Sequence, residues 1–173
     1  SRYRPAFCKL RQVIDSGVLG RVVQVRIAAN GFGRRWDWQT LQEFKGGELL
    51  NTGPHFVDWA VALQGFRKPD RVLCVLDRTL NFGDAEDHVK VVLTRRGAPV
   101  IDLEISRCDA YPGDMLVACG TQGGLSGGMG GLRWRFFDPE GAPKQKLIRL
   151  PMPDQSYCRE ALTFTEQTWE PTA

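Results

Sequence analysis

From Asp70 onward the chain reads as strand after strand, and this constrains its fold more than any other feature. RVLCVLD, HVKVVLT and VIDLEIS each alternate or stay apolar over strand lengths. The second and third are separated by a turn at Gly97-Ala98, the pattern of a hairpin. Further short strand patterns follow in DMLVACGTQ, LRWRFFDPEG and KQKLIRLP. A helix, a strand and a second helix stand ahead of this block. Helices segregated from a run of strands make an α+β domain, not an alternating parallel sheet. The expectation is a predominantly antiparallel, mixed and open sheet of about six strands, with helices on one face. Val89, Val91 and Leu93 share one side of their strand, whereas Lys90 and Val92 share the other. That incomplete contrast calls for partial cover on the second face, so self-association through the sheet is expected.

The elements ahead of the strands are as legible. Phe7, Leu10, Val13 and Ile14 recur at helical spacing, with Pro5 suited to a first turn and Gly17 to a stop. A helix is expected over 5–16. GRVVQVRIAAN then places Val23, Val25 and Ile27 on one side of a strand. At the other end the domain is expected to close near Pro153. Residues 154–173 then form a tail, with a short helix over Arg159–Trp169.

Composition narrows the function. Of 173 residues, 42% are hydrophobic and 25% charged, and the net charge is only +3. The basic residues are scattered, which argues for a solvated surface and against a nucleic-acid partner. Five cysteines without a CxxC pair argue against a zinc site or a disulfide framework and fit reduced thiols in the cytoplasm. No apolar run approaches the roughly eighteen residues that a membrane helix needs. Neither glycine-rich segment carries a phosphate-binding fingerprint. GGLSGGMGG lacks a Lys-Ser/Thr ending, and GFGRRW has Trp36 where a third glycine would stand; both read as surface loops. Asp84, Glu86 and Asp87 read as a solvated turn, and His88 as a strand-edge residue bonded to a neighbouring carboxylate. Asp102 and Glu104 read as a polar strand face.

GGELLNTGPHFVDWAVALQG, residues 46–65, carries one of only two histidines. Asn51, His55 and Asp58 are spaced four and three apart, along one face of a helix expected to end near Gly65. Asn51 either caps the helix or reaches a ligand. Asp58 is either solvated or orients His55 across one turn. Gly46-Gly47 and Gly53 allow close approach, which beside a histidine makes room for a ligand. The preceding loop concentrates Arg34, Arg35, Trp36, Asp37 and Trp38. Its tryptophans suit sugar C–H faces or a domain interface, and its arginines suit hydroxyls or an acid group.

The pattern GG-x-L-L-N-x-G-x-H-x-x-D-x-A-x-x-L-x-G resembles a helix signature of the C-terminal domain in the glucose–fructose oxidoreductase, inositol dehydrogenase and MocA (Gfo/Idh/MocA) family. RYRPAFCKLRQVIDSGVLGRVVQVR is similar to that domain's first helix and strand, AEDHVKVVLTRRGAPVIDLEIS to its central hairpin, and GTQGGL and RWRFFDPEG to later strands. The resemblance implies that residues 1–153 form a substrate-binding and oligomerisation domain, with an N-terminal Rossmann domain outside this chain. It implies NAD or NADP as cofactor of the full-length protein, none of it held by this fragment. It further implies a sugar or polyol substrate and a homodimer or homotetramer through the open sheet. His55 matches the family's histidine at the reacting hydroxyl, and Asn51 falls where an aspartate often stands. Arg35, Trp36, Trp38 and Asp58 would contact substrate. An amide at Asn51 can hydrogen-bond a substrate but cannot accept a proton. The alternative to a dehydrogenase half is therefore a non-catalytic binding or assembly module.

Overall fold

In the computed structural model, which describes residues 1–149 and 157–172, the first helix forms where its periodicity places it. α1 (Pro5–Asp15) has Pro5 in its first turn and buries Ala6, Phe7, Leu10 and Val13. β1 (Val22–Asn30) follows and runs through the middle of the sheet. Val25 and Ile27 are fully buried, but Val23 is exposed, because pairing shifts at a bulge between Val22 and Gln24.

After two 3-10 turns, Trp38–Thr40 and Gln42–Phe44, come two helices, α2 (Glu48–Asn51) and α3 (Gly53–Leu63). The strands are then β2 (Arg71–Asp77), β3 (His88–Thr94), β4 (Val100–Ser106), β5 (Leu116–Gly120), β6 (Gly123–Gly128), β7 (Gly131–Phe136) and β8 (Thr165–Trp169). They form one eight-stranded sheet in the order β2-β3-β4-β1-β5-β6-β7-β8. Among the described residues only β1 and β4 are parallel, and every other neighbouring pair is antiparallel. The α+β class and the mixed open sheet are as the sequence implies, with eight strands rather than six.

The additional strands have physical reasons. GGLSGG, read as loop, is β6, hydrogen-bonded between β5 and β7. A Cβ on Gly123 would stand 2.3 Å from the Arg135 carbonyl oxygen, so the glycine permits the strands' close approach. The segment expected to be a tail helix is instead β8, whose register sets Trp169 opposite Leu132 and Thr165 opposite Phe136. TEQTW is polar, yet an edge strand needs only one hydrogen-bonded neighbour. KQKLIRLP is no strand over its described residues, 144–149, and its end lies outside the described residues, as do Pro153 and the domain boundary placed there.

Register builds the core as rows across the sheet. Leu93, Ile101, Val25, Ala118, Leu125 and Trp134 face one another strand by strand, as do Val91, Leu103, Ile27 and Leu116. α3 packs against β4 and α1 against β7. Phe7 stacks on Trp59 with centroids 4.7 Å apart, and Phe56 meets Trp59 edge-on at 5.2 Å, which joins the two helices over the same apolar rows. β2 departs from expectation. Val72, Cys74 and Leu76 do share one side, opposite Leu93, Val91 and Val89, but all seven residues of the strand are exposed.

On the opposite face charges pair within the chain. Lys90 Nζ lies 2.6 Å from Asp102 and 2.9 Å from Glu104, and Asn30 donates to Glu104 at 2.6 Å. This is the polar face read from the sequence. Burial works against the charge of Glu104, but the bonds from Lys90 and Asn30 outweigh it and hold its carboxyl below the usual range.

Of the acidic turn, Asp84 is exposed as expected and Glu86 is half-buried, but Asp87 is not solvated. Asp87 is fully buried and accepts from Thr79 N at 2.5 Å, Thr79 Oγ1 at 2.9 Å, Leu80 N at 2.8 Å and Asn81 N at 2.7 Å. His88 lies 3.1 Å from the Ser106 hydroxyl rather than against a carboxylate. Burial raises the Asp87 pKa, but these donors outweigh it and set it below its ordinary 3.8. A depressed folded pKa gives stability that is complete above the unfolded value and lost as pH falls through the folded one. Asp87→Asn, which turns an acceptor into a donor among N–H groups, is expected to lower stability by about 1.5–3 kcal/mol in urea unfolding at neutral pH. The gap between variant and wild type should narrow in acid below the ordinary carboxyl range. An unchanged midpoint would show that the turn does not depend on this carboxylate.

Candidate functional site

The helical segment around His55 is two pieces because of its own sequence. Pro54 has no N–H to continue the ladder, so α2 ends at Asn51 and α3 restarts at Gly53. Thr52 spans the break, its hydroxyl donating to Glu48 Oε2 at 2.6 Å. Glu48 is 2% exposed and accepts from Arg107 Nε at 2.7 Å, which fixes α2 to the chain just beyond β4. Neither Glu48 nor Arg107 stands out in the sequence, because their pairing spans 59 residues.

The glycine pair serves this docking rather than a ligand. A Cβ on Gly46 would lie 2.3 Å from the Gln39 carbonyl oxygen, and one on Gly47 would fall 2.3 Å from the Glu86 carboxylate. Gly47 also adopts φ 102, ψ 154, a conformation essentially restricted to glycine. Glu86 accepts from Leu49 N at 3.0 Å, and its carbonyl accepts from Glu48 N at 3.1 Å. Gly53 is tight against Leu49 and the Glu48 carbonyl of the preceding helix α2. The room expected for a ligand at these glycines is filled by the chain itself.

His55 sits in the first turn of α3, exposed, on the wall of a cleft of about 700 Å³. Phe56, Trp59, Met115 and Met129 give the cleft an apolar floor, and Tyr3, Arg4 and Thr52 share its rim. The Ser1 hydroxyl donates to the His55 carbonyl at 3.0 Å, whereas nothing among the described residues hydrogen-bonds the ring. Asn51 is likewise exposed, with its backbone N–H bonded to Gly47. Asp58 does not orient His55. It is held by Arg2 in a two-point pair, Nε–Oδ2 3.1 Å and Nη2–Oδ1 2.6 Å. The Arg2 guanidinium also covers the Phe66 ring at 5.0 Å.

The arginine–tryptophan loop is a separate surface. Arg35 is spent internally, on Asp37 at 2.9 and 3.0 Å and on Gln39. This pairing is the largest influence and lowers the Asp37 pKa; burial opposes it, and the Gln39 amide adds to the lowering. Trp36 and Trp38 are 78% and 60% exposed. Trp36 meets Phe82 edge-on, Trp38 meets Phe44 in the same way, and Arg34 lies 4.4 Å over the Phe82 ring. Neither tryptophan lines the cleft at His55. The structure therefore brings His55 together with Tyr3, Arg4 and two methionines, residues the sequence did not single out. The first four residues carry no periodic signal, and methionine reads as core filler.

Residues 7–126 match the family model described as the GFO/IDH/MocA C-terminal domain. The chain belongs to this family. No curated protein matches it. Solved structures share the fold, and several of them are described as oxidoreductases. An NAD-binding protein from Listeria innocua aligns over 99% of this chain and 50% of its own, with TM-score 0.70 and 15% identity. An oxidoreductase from Bacillus cereus aligns over 87% and 50%, with TM-score 0.68 and 17% identity. Levoglucosan dehydrogenase, solved with NADH and levoglucosan, aligns over 81% and 42%, with TM-score 0.66 and 19% identity. The chain thus spans about half the length of these proteins or less. Among the described residues of this Gfo/Idh/MocA domain there is no group of three metal-binding side chains, and no helix is long and apolar enough to cross a membrane.

The docking of α2 gives a direct test. Gly47→Ala forces a side chain into a glycine-only conformation and against the Glu86 carboxylate, at an expected cost of about 1–3 kcal/mol in urea unfolding. A stability equal to wild type would refute the role assigned to this glycine.

Proposed function

We propose that this domain is the substrate-facing and assembly half of an NAD(P)-dependent oxidoreductase acting on a hydroxyl-bearing carbon of a sugar, polyol or related compound. The single observation that carries the reading is His55: exposed, with its ring unbonded, at the wall of a cleft with an apolar floor. Such a ring can take or return a proton at a substrate hydroxyl held beside it. The floor of Phe56, Trp59, Met115 and Met129 suits the C–H faces of a sugar and excludes water from them.

The described residues do not fit the dinucleotide itself. Neither glycine-rich segment joins a strand to a helix N-terminus: 31–33 is irregular chain after β1, and 123–131 belongs to β6 and β7. The nicotinamide cofactor, which supplies hydride chemistry when bound, is assigned to an N-terminal Rossmann domain of the longer protein. That assignment is supported by the chain's share of its structural neighbours. Trp36 and Trp38 are assigned to contact with that domain or with substrate extending beyond the cleft. Self-association as a homodimer or homotetramer is assigned to the open sheet face, where Leu73 and Val75 are exposed in line with Val92 and Lys90.

One observation favours the binding-module alternative. Asp58 is occupied by Arg2 and Asn51 is an amide, so no carboxylate of the described chain bonds the His55 ring. A proton acceptor beside the histidine would then have to come from the cofactor domain. Full-length protein assayed with a polyol and sugar panel and both nicotinamides decides between the readings. His55→Ala is expected to lower kcat by about 10²–10⁴-fold with a smaller change in KM. Asn51→Asp is expected to retain turnover, since it restores an acceptor one turn away. Absence of turnover by the wild type, with ligand binding unchanged in His55→Ala, would favour the module.

A further inference from the structure

The cleft at His55 is lined without a single carboxylate. Its rim holds Tyr3, Arg4, Thr52 and His55, and the Thr52 hydroxyl already donates to Glu48. The arginines on either side of Tyr3 differ in what they meet. Arg2 is neutralised by the two-point pair with Asp58. Arg4 is exposed on the cleft, and among the described residues no carboxylate or carbonyl receives its guanidinium.

Hydroxyls of a neutral sugar donate as well as accept, so a site for one is best served by strong acceptors, carboxylates above all, beside its donors. This rim instead offers a cation and few acceptors. A guanidinium presents a planar fork of donors that matches a carboxylate or phosphate, and such charge-assisted bonds are about twice as strong as neutral ones. The low-dielectric floor beside it strengthens the attraction further. We propose that the substrate is an anionic sugar derivative whose carboxylate or phosphate ester pairs with Arg4, while its reacting hydroxyl lies at His55. This rests on the reading of the His55 cleft as the substrate site. Uronates, aldonates and sugar phosphates are the compounds of this class, and neutral polyols are disfavoured.

Arg4 can be varied without loss of fold. It precedes α1 with extended backbone, makes no side-chain cap, and serves the helix only through its carbonyl, which accepts from Cys8 N at 3.0 Å. The test uses full-length protein with NAD and NADP and matched sets: glucose, glucuronate, gluconate and glucose 6-phosphate, with the corresponding galactose set. Wild type should prefer one acid over its neutral parent by about tenfold or more in kcat/KM, and Arg4→Gln should reduce that ratio by about tenfold, mainly through KM. Arg4→Lys should restore part of it. Preference for a uronate or aldonate assigns the carboxylate, and preference for a 6-phosphate assigns the phosphate. Preference for the neutral sugar, or a ratio unchanged in Arg4→Gln, overturns the proposal. If nothing turns over, calorimetry with the same compounds separates the two readings. An acid that binds wild type and is lost in Arg4→Gln upholds the anion site while removing hydride transfer; no binding difference between the two proteins overturns the anion site.

Discussion

The parallel pairing of β1 with β4 is the constraint on which the rest of the structure depends. β2-β3-β4 is one antiparallel meander and β5-β6-β7-β8 another, and β1 is the only strand hydrogen-bonded to both. Its seven residues from Gln24 to Asn30 lie in register with Val100 to Ser106, and Val25 and Ile27 continue the buried rows from one meander to the other. A parallel pair cannot be closed by a tight turn; its connection must cross a face of the sheet. That connection holds α2, α3 and the arginine–tryptophan loop, and it also includes β2 and β3. The geometry of β1 therefore decides that the His55 helix lies on the same face as α1, where Phe7 and Trp59 stack.

What could be read in the sequence follows from the range of the interactions. α1, β1 and the β3–β4 hairpin are set by local apolar periodicity, and they form where that periodicity puts them. β6 and β8 are held by neighbours far away in the chain. GGLSGG offers a single large apolar side chain, Leu125, so alternation carries no signal, and the strand exists because β5 and β7 leave it a slot that excludes a side chain at Gly123 and Gly127. β2 shows the reverse. Its alternation is sound, but no periodicity says whether anything covers the face it defines.

The site divides in the same way. His55 was legible because a rare residue stood in a patterned helix, and the structure leaves it exposed on a cleft. Its supposed partner Asp58 was not, since the Arg2 that takes it lies 56 residues away. The glycine pair was read as space for a ligand when it is space for Gln39 and Glu86. Arg35 looked like a substrate group by type, yet Asp37 two residues on neutralises it. Residue type names the chemistry a side chain can do; only the long-range contacts show which side chains are already spent.

That distinction applies to the open face too. Lys90 pairs with Asp102 and Glu104, and Asn30 donates to Glu104, within β1, β3 and β4, with Lys90 opposite Glu104 and Asp102 opposite Arg26 in register. Covering a charge is costly mainly when its partner is missing. Charges already paired within the chain can be approached by another surface without requiring matched charges from it. The apolar part of that surface is then free to decide the contact. It lies at β2, where Leu73 and Val75 are 60% and 48% exposed on this side and Val72 and Leu76 are exposed on the other. An edge with four large apolar side chains on both of its faces, Cys74 between them and no lysine or proline to blunt pairing is poorly suited to water. The assembly proposed for this sheet would draw on β2 for its apolar area and on the paired charges of β3 and β4 for a face that tolerates cover.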